Sequence, residues 1–256
     1  MNTGESNCPG EERGPLARSM APASVRSALA PTGVLRVVIN LGNPVLAQGT
    51  AKAPRGVTVG IAHQLARWLG APLQIASVLA ARDAYRAITA GKVDLCFLAI
   101  EPAREDGVVF TAPYALIEGI YIARANAGFN TAHEVDAPGV RIGVRTGSAY
   151  DLYLTRTVAA AEIVRGPEVP EVFEDEDLPV CAGIRQPLTE YATAQGHYVL
   201  EPPFMEIRQA VGMRRGLPAE IVGAVAAQVE LLKSSGFVHR ELRRSGAQAT
   251  VAPPAR

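Results

Sequence analysis

Disulfide spacing, clustered histidines, excess charge and long apolar runs are all missing from this chain, and each absence closes off a class of protein. The 3 cysteines, Cys8, Cys96 and Cys181, are odd in number and far apart, which argues against a disulfide framework. Cys96 and Cys181 lie in apolar, strand-like runs, the setting of a small buried thiol. The 4 histidines, His63, His133, His197 and His239, are scattered without the spacing of metal ligands, so no metal is expected. The 25 basic residues balance 25 acidic ones, leaving no net field to draw the chain onto nucleic acid. No apolar run is long enough to span a bilayer.

What is present is a core. The hydrophobic share is 48% and the charged share 20% of 256 residues, enough for one large domain or two ordinary lobes. Residues 1–32 are rich in Gly, Pro, Ser, Ala and charge without period and read as a disordered extension. Met1 to Arg26 holds no apolar core of the kind a secretory signal needs. Either the protein stays in the cytoplasm or its true start lies elsewhere.

From Gly33 the pattern alternates. Leu35 to Asn40, Leu73 to Val78 and Val93 to Leu98 read as strands. Between them, Ile61, Leu65, Trp68 and Leu69 recur at helical spacing before Gly70, and Ala84, Tyr85 and Ile88 mark a shorter helix. This order argues for a mostly parallel sheet covered by helices. Ile117 to Ala123 is a further strand, and a second alternating series begins at Val140–Val144. Residues 166–179 are poorly periodic, and structure is not forced on all of them. Val180 to Ile184, His197 to Leu200 and Ala210 to Met213 read as strands, followed by a helix through Ile221, Val225, Val229 and Leu232. Two such α/β halves joined by extended segments suggest two lobes around a cleft.

The most informative stretch is Ala99 to Tyr114. It follows a strand and sets Glu101, Pro102 and Arg104 at the mouth of a sheet, where open α/β folds bind ligands. Arg104 is a fixed cationic fork suited to a carboxylate, or it pairs with Glu101 or Glu105. Ser148 and Asp151, three residues apart at a strand-to-helix turn, have the capping-box spacing, with Asp in place of Glu or Gln.

Six segments in order carry a resemblance: Gly56–Ala62, Ala90–Asp94, Pro102–Arg104, Phe110–Tyr114, Val140–Ser148 and Leu232–Phe237. Together they resemble solute-binding protein family 3, the periplasmic receptors of polar amino-acid ABC transporters, over residues 33–246. The resemblance implies an α/β type II periplasmic binding protein with a two-segment hinge. Lobe 1 would comprise 33–116 and 209–246, lobe 2 would be 117–208, and 247–256 would be a flexible tail. It also implies a monomer that docks on a membrane permease, with no cofactor.

Carried onto this sequence, the resemblance makes Arg104 the grip on a ligand carboxylate, met from lobe 2 by Thr146, Gly147 and Ser148. Asn43 lies in the loop after the first strand, which lacks the aromatic that usually stacks on the ligand. Tyr114 would line the hinge side. Ala99 stands where many relatives have Ser or Thr, so only its carbonyl is available. Glu101 replaces a common Thr and either pairs with Arg104 or meets a ligand cation. Ile184 stands near the Asp that pairs with a ligand ammonium, and Arg185 offers a second anion contact or a solvated surface charge. The expected function is therefore non-enzymatic capture of an amino acid or related organic acid. Two alternatives are a cytoplasmic sensor and an enzyme like the cyclohexadienyl dehydratases, for which Glu101 is the one nameable acid.

Overall fold

The computed structural model describes residues 20–255. The chain opens with α1 (Ala23–Leu29), β1 (Leu35–Asn40) and a small hairpin of β2 (Gln48–Thr50) and β3 (Ala53–Arg55). There follow α2 (Val57–Leu69), β4 (Leu73–Val78), α3 (Ala81–Thr89), β5 (Leu95–Ala99), α4 (Pro102–Glu105) and β6 (Val108–Phe110). The long strand β7 (Ala115–Ala123) leads into β8 (Arg141–Arg145), α5 (Ala149–Thr157), β9 (Glu162–Gly166), α6 (Val169–Asp175), β10 (Val180–Ile184) and α7 (Arg185–Gln195). A longer strand, β11 (Tyr198–Arg214), returns to α8 (Ala219–Ser234), α9 (Phe237–Arg244) and β12 (Thr250–Val251).

Hydrogen bonding links β4-β1-β5-β11-β7-β10-β8-β9 into one curled sheet. Its two ends repeat one plan. In lobe 1, β1 pairs in parallel with β4 on one side and β5 on the other. In lobe 2, β8 pairs in parallel with β9 and β10 in the same way. The antiparallel strands β7 and β11 run through both lobes and form the two-segment hinge; Gln209 of β11 pairs with Ala99 in β5 and Ala115 in β7.

Local chemistry explains the elements. In α2, Ile61, Leu65, Trp68 and Leu69 are all buried, and Gly70 ends the helix in the left-handed region at φ 61°, a conformation that strains any residue with a Cβ. Each fully buried Leu or Ile contributes about 1.5–3 kcal/mol, so this face anchors lobe 1.

Two expectations are corrected, and one segment left open gains a helix. Within the supposed extension, 20–32 holds helix α1, because Val25 and Leu29, one helical turn apart, are 3% and 1% exposed and pack it onto α8. Arg26 Nε adds a hydrogen bond of 2.6 Å to the Leu69 carbonyl. The earlier part of that extension lies outside the described residues. Residues 166–179 contain α6, in which Val169, Val172 and Phe173 bury one face and Pro170 sits in the first turn, where a missing N–H is tolerated. The tail is not free between 250 and 253: Thr250 and Val251 pair with β7, Ala252 is buried, and Lys233 Nζ donates to the Pro253 carbonyl at 2.7 Å.

Candidate ligand cleft

The lobes face each other through the C-terminal ends of their central strands, the switch points of the two sheets. Asn40 ends β1 and Gly42 and Asn43 follow it, Ala99 ends β5, Arg145 ends β8 and Thr146 follows it, and Ile184 ends β10; all line one cleft of about 650 Å³, counted out to solvent. Ligands of open α/β sheets bind at this topological position. Phe97, Arg104, Tyr114, Ser148, Tyr150 and Gln209 complete the polar and aromatic part of its wall, with Thr58 from α2.

Arg104 is the charge at the centre. Pro102 starts the single-turn helix α4, which folds Arg104 back so that it is 3% exposed. Its Nη1 donates to the Ala99 carbonyl at 2.9 Å and its Nη2 to the Gly147 carbonyl of the opposite lobe at 3.1 Å. A guanidinium carries five N–H donors, so others stay available. No carboxylate among the described residues lies within 4.0 Å of it. Burial pushes its pKa down to about 10, which leaves it charged at neutral pH.

The lobe 2 side is built differently. Ser148 caps α5 by accepting from the Asp151 amide at 3.0 Å. The Asp151 carboxylate reaches back to the Gly147 amide at 2.7 Å and also accepts from Arg165 Nε at 2.9 Å. The expected capping box forms only in half: Ser148 caps Asp151, but the Asp151 carboxylate binds the amide of Gly147, one residue before the cap, while the Ser148 amide donates to the Arg145 carbonyl at 3.2 Å. Gly147 offers its carbonyl to Arg104 rather than its amide to a ligand. Thr146 lines the cleft, with its hydroxyl turned to the Gly166 carbonyl at 3.1 Å. Tyr114 is fully buried, with its hydroxyl 3.3 Å from Thr58 Oγ1, and burial holds its pKa above the usual phenol value.

The sequence model of the bacterial extracellular solute-binding proteins, family 3, matches residues 35–244. The chain belongs to this family. No curated protein matches it. Among solved structures, the solute receptor for L-cysteine of Neisseria gonorrhoeae superposes with a TM-score of 0.71 at 20% identity, covering 86% of this chain and 92% of that one. The ancestral amino acid-binding protein AncCDT-1, a precursor of cyclohexadienyl dehydratase, gives 0.68 at 18% identity, covering 87% and 99%. A histidine kinase sensor domain with similarity to periplasmic binding proteins gives 0.71 at 15%, covering 86% and 98%. These likenesses establish the type II periplasmic binding protein fold.

Within this family 3 solute-binding protein, two sequence-predicted positions stand elsewhere. The Arg185 guanidinium does not reach the cleft. It makes paired bonds of 2.8 and 2.9 Å to the Glu201 carboxylate and another to Glu118, because β7 and β11 place both acids beside the start of α7. Glu101 neither pairs directly with Arg104 nor lines the cleft. It is 2% exposed and bonds Arg156 Nη1 of lobe 2 at 2.5 Å, while that guanidinium stacks over Tyr153. Burial still raises the Glu101 pKa, against the pull of Arg156.

Several wall residues escape sequence reasoning. Arg145 crosses the cleft to the Gly42 carbonyl at 3.3 Å and the Leu79 carbonyl at 2.5 Å, and pairs with Glu168 at 2.6 Å. A Cβ on Gly42 would lie 1.9 Å from the Leu79 carbonyl oxygen as well as 2.5 Å from Arg145 Nη1, and since the backbone carbonyl cannot swing aside, only glycine fits. Gln209 and Tyr150 line the wall too; the position of Arg145 at a strand end was the one signal that pointed to any of them.

Proposed function

We propose that this chain captures a small polar, carboxylate-bearing solute between its lobes and delivers it to the membrane permease of an ABC transporter. The observation that carries this reading is Arg104: buried, charged, in the wall of the interlobe cleft and, among the described residues, hydrogen-bonded to carbonyls alone, with the Glu101 carboxylate acting on it only through space. A buried charge without a hydrogen-bonded counter-ion is costly, and a ligand anion is the partner that would offset it. In this reading 33–116 with 209–246 form one jaw and 117–208 the other. Ala99, Asn43, Tyr114, Thr146 and Ser148 contribute the remaining contacts, and the protein acts as a monomer outside the cytoplasm, as the family description suggests. Among the described residues no single helix is long and apolar enough to cross a membrane.

The dehydratase alternative draws on the likeness to AncCDT-1. It needs a cleft acid, whereas among the described residues no Asp or Glu lines the cleft and Glu101 is engaged by Arg156. A thermal-shift screen across amino acids and organic acids tests capture, since a solute that binds the folded state raises the melting point. The expected result is a saturable rise with at least one carboxylate, lost in Arg104→Ala. An equal rise in the variant would overturn the assignment.

A further inference from the structure

A ligand ammonium taken out of water needs a counter-charge, and neutral acceptors alone leave its charge unpaired. Among the described residues the cleft offers no carboxylate: its titratable lining consists of Arg104, Arg145, Tyr114 and Tyr150. Ile184, an apolar residue, ends β10 in the wall. The nearby carboxylates are already held, Glu101 by Arg156, Asp151 by Arg165 and the Gly147 amide, and Glu168 by Arg145.

The carbonyls named at the rim each face a guanidinium already, which repels a second cation from their remaining lone pair. Those of Ala99 and Gly147 accept from Arg104, and those of Gly42 and Leu79 accept from Arg145. What is left in the wall is neutral or cationic. Asn43 is 7% exposed and its Oδ1 has no partner, and Arg145 Nε is buried without an acceptor. An acceptor atom on the ligand suits Arg145 Nε, and a neutral hydroxyl suits Asn43 Oδ1. An ammonium would meet two guanidinium groups and no anion.

We infer that the solute is a small organic acid without a free ammonium group, a hydroxy or oxo acid rather than an amino acid. This rests on the proposed capture of a carboxylate at Arg104 and narrows its class. Calorimetric titration of the full chain with matched pairs tests it: L-lactate with L-alanine, L-malate with L-aspartate, 2-oxoglutarate with L-glutamate, and phenyllactate with L-phenylalanine. The expected result is that the tightest-binding compound is a hydroxy or oxo acid, with its amino counterpart at least tenfold weaker. A smaller gap, or an amino acid that binds tighter, overturns the inference and leaves carboxylate capture standing. No binding by any of the eight overturns carboxylate capture itself. A second arm uses Ile184→Asp, which supplies the missing acid: the preference should shrink at least tenfold, and an unchanged ratio in a folded variant overturns the role given to Ile184.

Discussion

The two lobes repeat one topology and bring opposite chemistry to the cleft. Each places an arginine just after its third parallel strand, Arg104 beyond β5 and Arg185 at the end of β10. Arg185 is neutralised by Glu118 and Glu201 at the surface, whereas Arg104 is buried with carbonyls alone as partners. The helix N-terminus of lobe 2, which in isolation would be an anion site, already holds the carboxylate of Asp151. Lobe 1 thus presents a cation bonded to carbonyls alone, while lobe 2 pairs Arg145 and Arg165 with its own acids and leaves the Arg145 Nε donor open. Position in a repeated fold does not assign a role; the partners of each charge do.

Four substitutions sharpen that contrast. Removing Asp151 should have the largest effect on stability, because its buried carboxylate serves the Gly147 amide, Arg165 and Thr155 together. Asp151→Ala should cost about 2 kcal/mol, seen as a lowered midpoint in denaturant; an unchanged midpoint would mean that lobe 2 does not depend on this internal anion. Ser148→Ala removes the cap alone and should cost about 1 kcal/mol. If Ser148 also touches the solute, affinity in calorimetry falls with stability, and a fall in stability alone confines the residue to capping.

Glu101→Gln probes the link between the lobes through its pH dependence. The folded protein holds Glu101 above its ordinary value of 4.5, so the folded state binds the proton more tightly than the unfolded chain does. The contribution of this group to stability is therefore greatest below 4.5 and declines as pH rises through the raised value. The Gln variant should lack that decline, and parallel curves of melting point against pH would contradict it. The smallest effect belongs to Arg185→Ala: a surface ion pair is worth about 0–1 kcal/mol, and the melting point of the variant should stay close to that of the wild type.

Much of the fold was legible because alternating apolar periods survive in sequence. Strands β1, β4, β5, β8 and β10, the Gly70 stop and the N-cap at Ser148 all follow from local rules. Helix α1 was not, because its buried face is just Val25 and Leu29 inside an alanine- and serine-rich segment. The ranges 197–200 and 210–213 read as two strands and are one, since the polar and proline-rich stretch between them pairs with β7 across a bulge. In the cleft, Arg104 could be found from its place after a strand. Its lack of an acid partner could not, because Glu101 and Glu105 flank it in sequence while Arg156, 55 residues from Glu101, takes the carboxylate.

The most direct test of the account compares the two arginines in one titration. The acid that stabilises the wild-type protein most is titrated into wild type, Arg104→Met and Arg185→Ala. The account predicts that Arg104→Met loses about 100-fold or more in affinity, the equivalent of about 3 kcal/mol for charge-assisted bonds, while Arg185→Ala binds as wild type does. Equal affinity in all three proteins, or a loss confined to Arg185→Ala, would contradict it.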